Sequence, residues 1–186
     1  MEISPTAIPE VKLVRLARHE DARGFFSETW NRAAFATAGI DLDFVQDNHA
    51  LSAERGTLRG LHFQIPPFAQ AKFLRCPRGA VFDVALDLRH GSPTYGRHVH
   101  TILSEEEWNA IVIPEGFAHG YCTLEPTTEV FYKVNRAYAP DHDRGLLWND
   151  PALGIDWPVD EADAILSERD RSHPTLAELP VFFRHE

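Results

Sequence analysis

Cysteine and methionine are almost missing from this chain, which carries two Cys and one Met in 186 residues. Cys76 and Cys122 both sit in apolar, strand-like surroundings. They exclude a disulfide-stapled scaffold and read as unpaired buried thiols of a reducing compartment, without a catalytic role. Also missing is any apolar run of about 18 residues, which excludes a bilayer-spanning helix. The opening stretch, Met1 to Lys12, has no basic end followed by an apolar core, so no export signal is expected. Positive charge is scarce as well. Lys and Arg number 18 against 28 Asp and Glu, a formal net charge of -10, and this argues against general binding to nucleic acid or to an anionic membrane. An anionic ligand must therefore meet a local basic cluster. Together these absences predict a cytoplasmic protein. No repeat, linker or low-complexity tract divides it, and a chain of this length with 44% hydrophobic residues suffices for one domain. That domain spans residues 1–186, with an Asp- and Pro-rich C-terminal tail from about Ala139.

What is present is a series of short extended segments punctuated by Gly and Pro. Val11 to Leu16 looks strand-like, Asp21-Ala22-Arg23-Gly24 reads as a turn, and Phe25 to Trp30 alternates, with Phe26, Glu28 and Trp30 on one face. From alternation alone, Glu28 suits a base-reading carboxylate and a solvated outer side chain equally well. Asn31 to Ala38 is a short alanine-rich helix that Asn31 caps and Gly39 stops. Phe44 to Leu51 is extended again and places Gln46 and Asn48 on one side, two amides for a ligand. After a Pro77 to Gly79 turn, Val81 to Leu88 opposes an apolar face of Phe82, Val84, Leu86 and Leu88 to Asp83, Ala85 and Asp87. Asp83 is then either a partner for Lys72 or one of two solvent-facing carboxylates. A turn from Pro114 presents His119, and Glu129 to Arg136 alternates with Val130, Tyr132 and Val134 on one face. Asp160 to Ser167 carries a weak helical pattern. So many short strands with little helix argue an all-β double-sheet jelly roll or a barrel, with a few short peripheral helices.

The chemistry concentrates in Arg59-Gly60-Leu61-His62-Phe63-Gln64. In barrel proteins a strand bearing His-x-His often holds a metal, but Gln64 takes the second position here and the next candidate, Lys72, is a cation. No metal and no cofactor are expected. A pocket histidine beside a lysine suits proton abstraction from carbon, with the ammonium stabilising the enolate. Arg59 and His62 differ in parity, so both reach one pocket only if Gly60 permits a bulge.

The runs Asp21-Ala22-Arg23-Gly24-Phe25-Phe26, Gln46-Asp47-Asn48-His49, Leu58-Arg59-Gly60-Leu61-His62, Gly91-Ser92-Pro93-Thr94, Pro114-Glu115-Gly116-Phe117-Ala118-His119-Gly120 and Trp148-Asn149-Asp150-Pro151 resemble the dTDP-4-dehydrorhamnose 3,5-epimerase family. Ordered motifs at matching spacing, from about Ile8 to Asp170, make the resemblance specific. It implies a cupin jelly roll, a homodimer, and a metal-independent isomerase that inverts C3 and C5 of a dTDP-linked 4-keto-6-deoxyhexose, the alternatives being a relative that inverts one of these carbons and a non-catalytic cupin that binds a nucleotide sugar. By the same resemblance His62 is the base, Asp170 the carboxylate that orients it, Tyr132 the acid and Lys72 the cation near the keto oxygen. Arg23, Arg59, His119 and Arg169 match positions around the diphosphate and sugar. Phe26, Glu28, Gln46, Asn48 and Asp143 match further substrate contacts, and Tyr138 matches the residue that stacks on thymine. The chain departs from the family's common pattern at Ala50 (serine), Ala137 (tyrosine), Asp143 (glutamate) and Arg169 (lysine).

Overall fold

Alternating segments form strands because one side of each can face a shared interior while Gly and Pro break the ladders between them. In the computed structural model, which describes residues 1–185, these are β1 (Glu2–Pro5), β2 (Lys12–Arg15), β3 (His19–Asp21), β4 (Gly24–Phe26), β5 (Gln46–Ser52), β6 (Leu58–Gln64), β7 (Lys72–Arg78) and β8 (Ala80–Asp87). They continue as β9 (Arg89–His90), β10 (His98–Ser104), β11 (Asn109–Ile113), β12 (Phe117–Thr123), β13 (Thr128–Val134), β14 (Asp143–Gly145) and β15 (Phe183–Arg184). Helices are short, α1 (Arg32–Thr37) and α2 (Glu168–Arg171). Among the described residues no helix is long and apolar enough to cross a membrane.

A six-stranded sheet in the order β1-β2-β11-β7-β13-β5 faces a five-stranded sheet in the order β10-β8-β12-β6-β14. Every pair within them is antiparallel. This is the jelly roll. Leu74, Val81, Ala85, Leu103, Ile111, Tyr121 and Val130 meet between the sheets. The outer face of the first sheet, through Phe73, Ala110 and Val112, is covered by Phe35 of α1 with Trp30 and Phe44. The outer face of the second, through Phe82, Val84 and Leu86, is covered by Leu153, Leu176, Leu179 and Phe183. Residues beyond Ala139 thus form an outer layer and add β14 beside β6, where a trailing tail was expected.

Other expectations are corrected by packing. The Phe25 to Trp30 strand stops at Phe26, because Ser27 Oγ donates to the Ala17 carbonyl and accepts from Trp108 Nε1, while Trp30 turns into the aromatic cluster. Pro77 lies inside β7, where the register with β13 shifts between Glu129 and Phe131 and no ladder bond is asked of it. The turn at Asp160 ends when Ile165 exchanges backbone hydrogen bonds with Gly56 and Leu58, so helix begins only after Ser167. Strand β8 is buried on both sides, which removes the solvent-facing reading of Asp83 and Asp87. Asp87 accepts from Arg89, Ser92 and Thr94 and so ties down the Gly91-Ser92-Pro93-Thr94 turn. Strand β13 ends at Val134, leaving Tyr138 in a loop. Asn31 does cap α1, accepting from Ala34 N.

Candidate active site

Between the sheets lies a cavity of about 230 Å³ lined by Ala50, Arg59, His62, Lys72, Leu74, His119, Tyr121 and Tyr132. Alternation on β7 sends Lys72 and Leu74 inward and Phe73 outward, and β13 adds Tyr132 from the same wall. Strands β6 and β12 supply Arg59, His62, His119 and Tyr121 from the opposite wall.

The bulge expected at Gly60 is present. Pairing between β12 and β6 shifts from His119 opposite His62 to Tyr121 opposite Arg59, which brings Arg59 and His62 into one cavity despite their unlike parity. Gly60 has φ +137°, and a Cβ there would stand 2.5 Å from Gly120 Cα. Only glycine lets the two backbones approach so closely.

Helix α2 delivers Asp170 to His62. Ser167 caps the helix by accepting from Asp170 N at 3.1 Å, and His62 Nε2 donates to Asp170 Oδ1 at 2.6 Å. Burial opposes ionisation of Asp170, but the neighbouring imidazoles of His173 and His62 outweigh it and hold the carboxyl well below its usual range. An ionised Asp170 fixes the proton on His62 Nε2 and leaves Nδ1 as the basic nitrogen. Lys72 is buried, and desolvation lowers its ammonium to about 8 against the opposing pull of Asp143 and Asp83. For Tyr132, burial, only partly offset by Arg59, pushes the phenol up and keeps its proton on at neutral pH.

Asp83 reaches Lys72 through charge alone. Its Oδ2 accepts from His119 Nε2 at 2.8 Å, so its hydrogen-bond partner is the histidine. Gln64 does not stand in for a metal ligand. Its amide donates to the Phe68 and Ala137 carbonyls and accepts from Ala139 N, tying the strand to the loop beyond β13. The donors of His62, Asp170 and His173 all lie within 4.8 Å of one another. Ligands sharing one tetrahedral ion stand about 3.3 Å apart, so the 2.6 Å contact is a hydrogen bond rather than a ready metal site. Burial pushes the Cys76 thiol up to about 12 and that of Cys122 up to about 11, in keeping with inert side chains.

A polar rim connects to this cavity. Gln46 donates to Asn48 Oδ1 and accepts from Tyr138 N, while Asn48 reaches the Tyr132 carbonyl. Arg169 pairs with Asp143 at 2.7 Å, and Tyr138 donates to the same carboxylate at 3.1 Å. Arg23, Phe26 and Glu28 do not join this group. The β3–β4 hairpin rests on Trp108 through Phe25, leaving Phe26 71% exposed, and among the described residues Arg23 pairs only with its neighbour Asp21. Glu28 is exposed as well. Sequence reasoning does not reach Tyr121 or His173. Tyr121 shares the parity of His119 on β12, and His173 lies at the i, i+3 spacing from Asp170, a signal that means something only once α2 is known.

Comparison with known proteins agrees with this geometry. The family model for dTDP-4-dehydrorhamnose 3,5-epimerase matches residues 5–178. A dTDP-4-dehydrorhamnose 3,5-epimerase of Sinorhizobium fredii is 51% identical over 185 residues, covering 100% of this chain and 94% of the relative. The crystal structure of the Bacillus anthracis enzyme of that name, with TDP and PPi bound, superposes with a TM-score of 0.90 at 46% identity, covering 94% of this chain and 98% of the other. A Legionella pneumophila dTDP-6-deoxy-D-glucose-3,5-epimerase in complex with dTDP-4-keto-L-rhamnose gives a TM-score of 0.95 at 38% identity, covering 100% and 98%. With the fold, the cavity and these matches in agreement over nearly its full length, the chain belongs to the dTDP-4-dehydrorhamnose 3,5-epimerase family.

Proposed function

We propose that the protein inverts C3 and C5 of dTDP-4-dehydro-6-deoxy-D-glucose to give dTDP-4-dehydro-L-rhamnose, through enolates, within one domain and without a cofactor. The observation that carries this reading is the placement of His62 and Tyr132 on opposite walls of one cavity, with Lys72 beside Tyr132. Both reacting protons lie next to the C4 ketone, so one base and one oxyanion site serve both centres. His62 Nδ1 removes the proton, Lys72 stabilises the charge that develops on the C4 oxygen, and Tyr132 protonates the enolate from the other face. Arg59 and His119 hold the sugar and the diphosphate at the same cavity, and Arg169 holds them from the rim. Gln46, Asn48, Asp143 and Tyr138 receive the nucleotide.

A homodimer completes the site. Arg23 and Phe26 lie on the exposed β3–β4 hairpin, with Glu28 just beyond it, outside their own cavity, and the adjacent rings of Phe25 and Phe26, 48% and 71% exposed, offer an apolar surface to a second copy. A second copy would bring that hairpin to the rim, adding a guanidinium for the diphosphate.

Proton NMR of the substrate incubated in deuterated water tests the assignment. Parent protein should place deuterium at both C3 and C5 with inversion, and labelling at one carbon alone would reduce the activity to a single epimerisation. His62→Ala should incorporate none. Tyr132→Phe should incorporate deuterium with configuration retained; inversion at the parent rate would assign the acid elsewhere.

A further inference from the structure

His173 is a buried titratable group that the mechanism above leaves unused. It follows α2, its side chain is 10% exposed, and its ring stands edge-on to His62 with centroids 5.8 Å apart. Among the described residues its buried Nε2 finds no hydrogen-bond partner. That atom lies 3.5 Å from Asp170 Oδ1, the same oxygen that accepts from His62. The fold also makes room for the ring. A Cβ on Gly145 would stand 2.1 Å from His173 Nε2, and Gly145 is the residue paired with His62 between β14 and β6. The imidazole therefore has a reserved place beside the base's own carboxylate.

We propose that His173 is a positioning residue that shares the Asp170 carboxylate with His62 and so limits how strongly that carboxylate polarises the base. The inference rests on reading His62 as the base. Two donors at one oxygen divide its charge, and a small movement of His173 closes 3.5 Å to a hydrogen bond. Each approach of His173 loosens the hold of Asp170 on His62. Such moderation has a purpose in a double inversion, because the same base must release its proton before attacking the second carbon. Other groups facing His62 are Arg59 on its own strand, Lys72 and Tyr132 across the cavity, and His119 and Tyr121 on β12. Among the described residues none of these is hydrogen-bonded to Asp170, whose side chain accepts from His62.

Three variants test this. His173→Phe keeps a ring and removes the donor, His173→Gln keeps a donor, and Gly145→Ala displaces the ring while retaining it. Two measurements are made on each: the downfield proton resonance of His62 Nε2–H in the ligand-free protein, and the acidic limb of kcat/KM. With His173→Phe and Gly145→Ala the resonance should move further downfield and the limb should rise by on the order of one pH unit. His173→Gln should return both toward the parent. An unmoved resonance and limb in the Phe and Ala variants would overturn the proposal. A moved resonance with an unmoved limb would uphold the sharing of Asp170 and reject His62 as the base.

Discussion

At the scale of single residues, the ionisation of Lys72 links burial to activity. Desolvation brings its ammonium to about 8, and only the charged form stabilises an enolate, so charge and activity are lost as pH rises through that value. The basic limb of kcat/KM, which reports the free enzyme, should therefore fall near pH 8; a profile flat to about pH 10, near the usual lysine value, would remove Lys72 from the reaction. Lys72→Ala should lower kcat on the order of 10²–10³-fold, the usual cost of one oxyanion-site donor. Asp143 and Arg169 are informative for another reason. Both are positions at which the family resemblance sets a different residue, and they are each other's partners at 2.7 Å. The shorter acid faces the longer base, a compensation invisible while the two stand as separate positions in the chain. Restoring one alone, as in Arg169→Lys, should weaken dTDP binding more than Asp143→Glu and Arg169→Lys together, measured by calorimetry.

At the scale of elements, one backbone device aims the site and one buried side chain holds a turn. Gly60→Ala would force a Cβ to 2.5 Å from Gly120 Cα at a φ of +137°. It should cost about 3 kcal/mol of stability by thermal or urea unfolding and separate Arg59 from His62. Unchanged stability would show that the bulge relaxes freely. The turn after β8 hangs on Asp87. Burial opposes its ionisation, yet hydrogen bonds from Arg89, Ser92 and Thr94 prevail and lower its carboxyl to about 2. A depressed carboxyl contributes stability above its ordinary value of 3.8, and that contribution is lost as pH falls through about 2. Its size is on the order of 2 kcal/mol. Asp87→Asn should reduce stability at pH 7 and flatten acid unfolding between those two values. The bulge was legible in the chain because Arg59 and His62 had to share a pocket across unlike parity. By contrast, Phe25 to Trp30 has the same alternation as a true strand, and what ends it is a hydrogen bond from Trp108, distant in sequence.

At the scale of the whole molecule, the exposed β3–β4 hairpin predicts association. Analytical ultracentrifugation should give twice the chain mass. Phe26→Ser, at a position 71% exposed in the single chain, should leave unfolding of the separate chain unchanged while raising KM about tenfold, a loss near 1.4 kcal/mol. A monomer of full activity would sink the shared site. The layered arrangement also explains why β8 misleads as a sequence. Its apolar face turns outward under the C-terminal segment, whereas Asp83 turns inward, so the side that reads as solvent-facing lies in the interior.

The sequence by itself determined the all-β architecture, the main turns, the α1 cap and the family, because these depend on local periodicity, backbone freedom and ordered motifs. Tertiary structure decided which polar groups meet. Asp83 pairs with His119, His173 stands 3.5 Å from the Asp170 oxygen that accepts from His62, and Gln64 spends its amide on a loop. These contacts join residues far apart in the chain or depend on a helix too short to announce itself, and their energies come from burial, which no stretch of sequence carries alone.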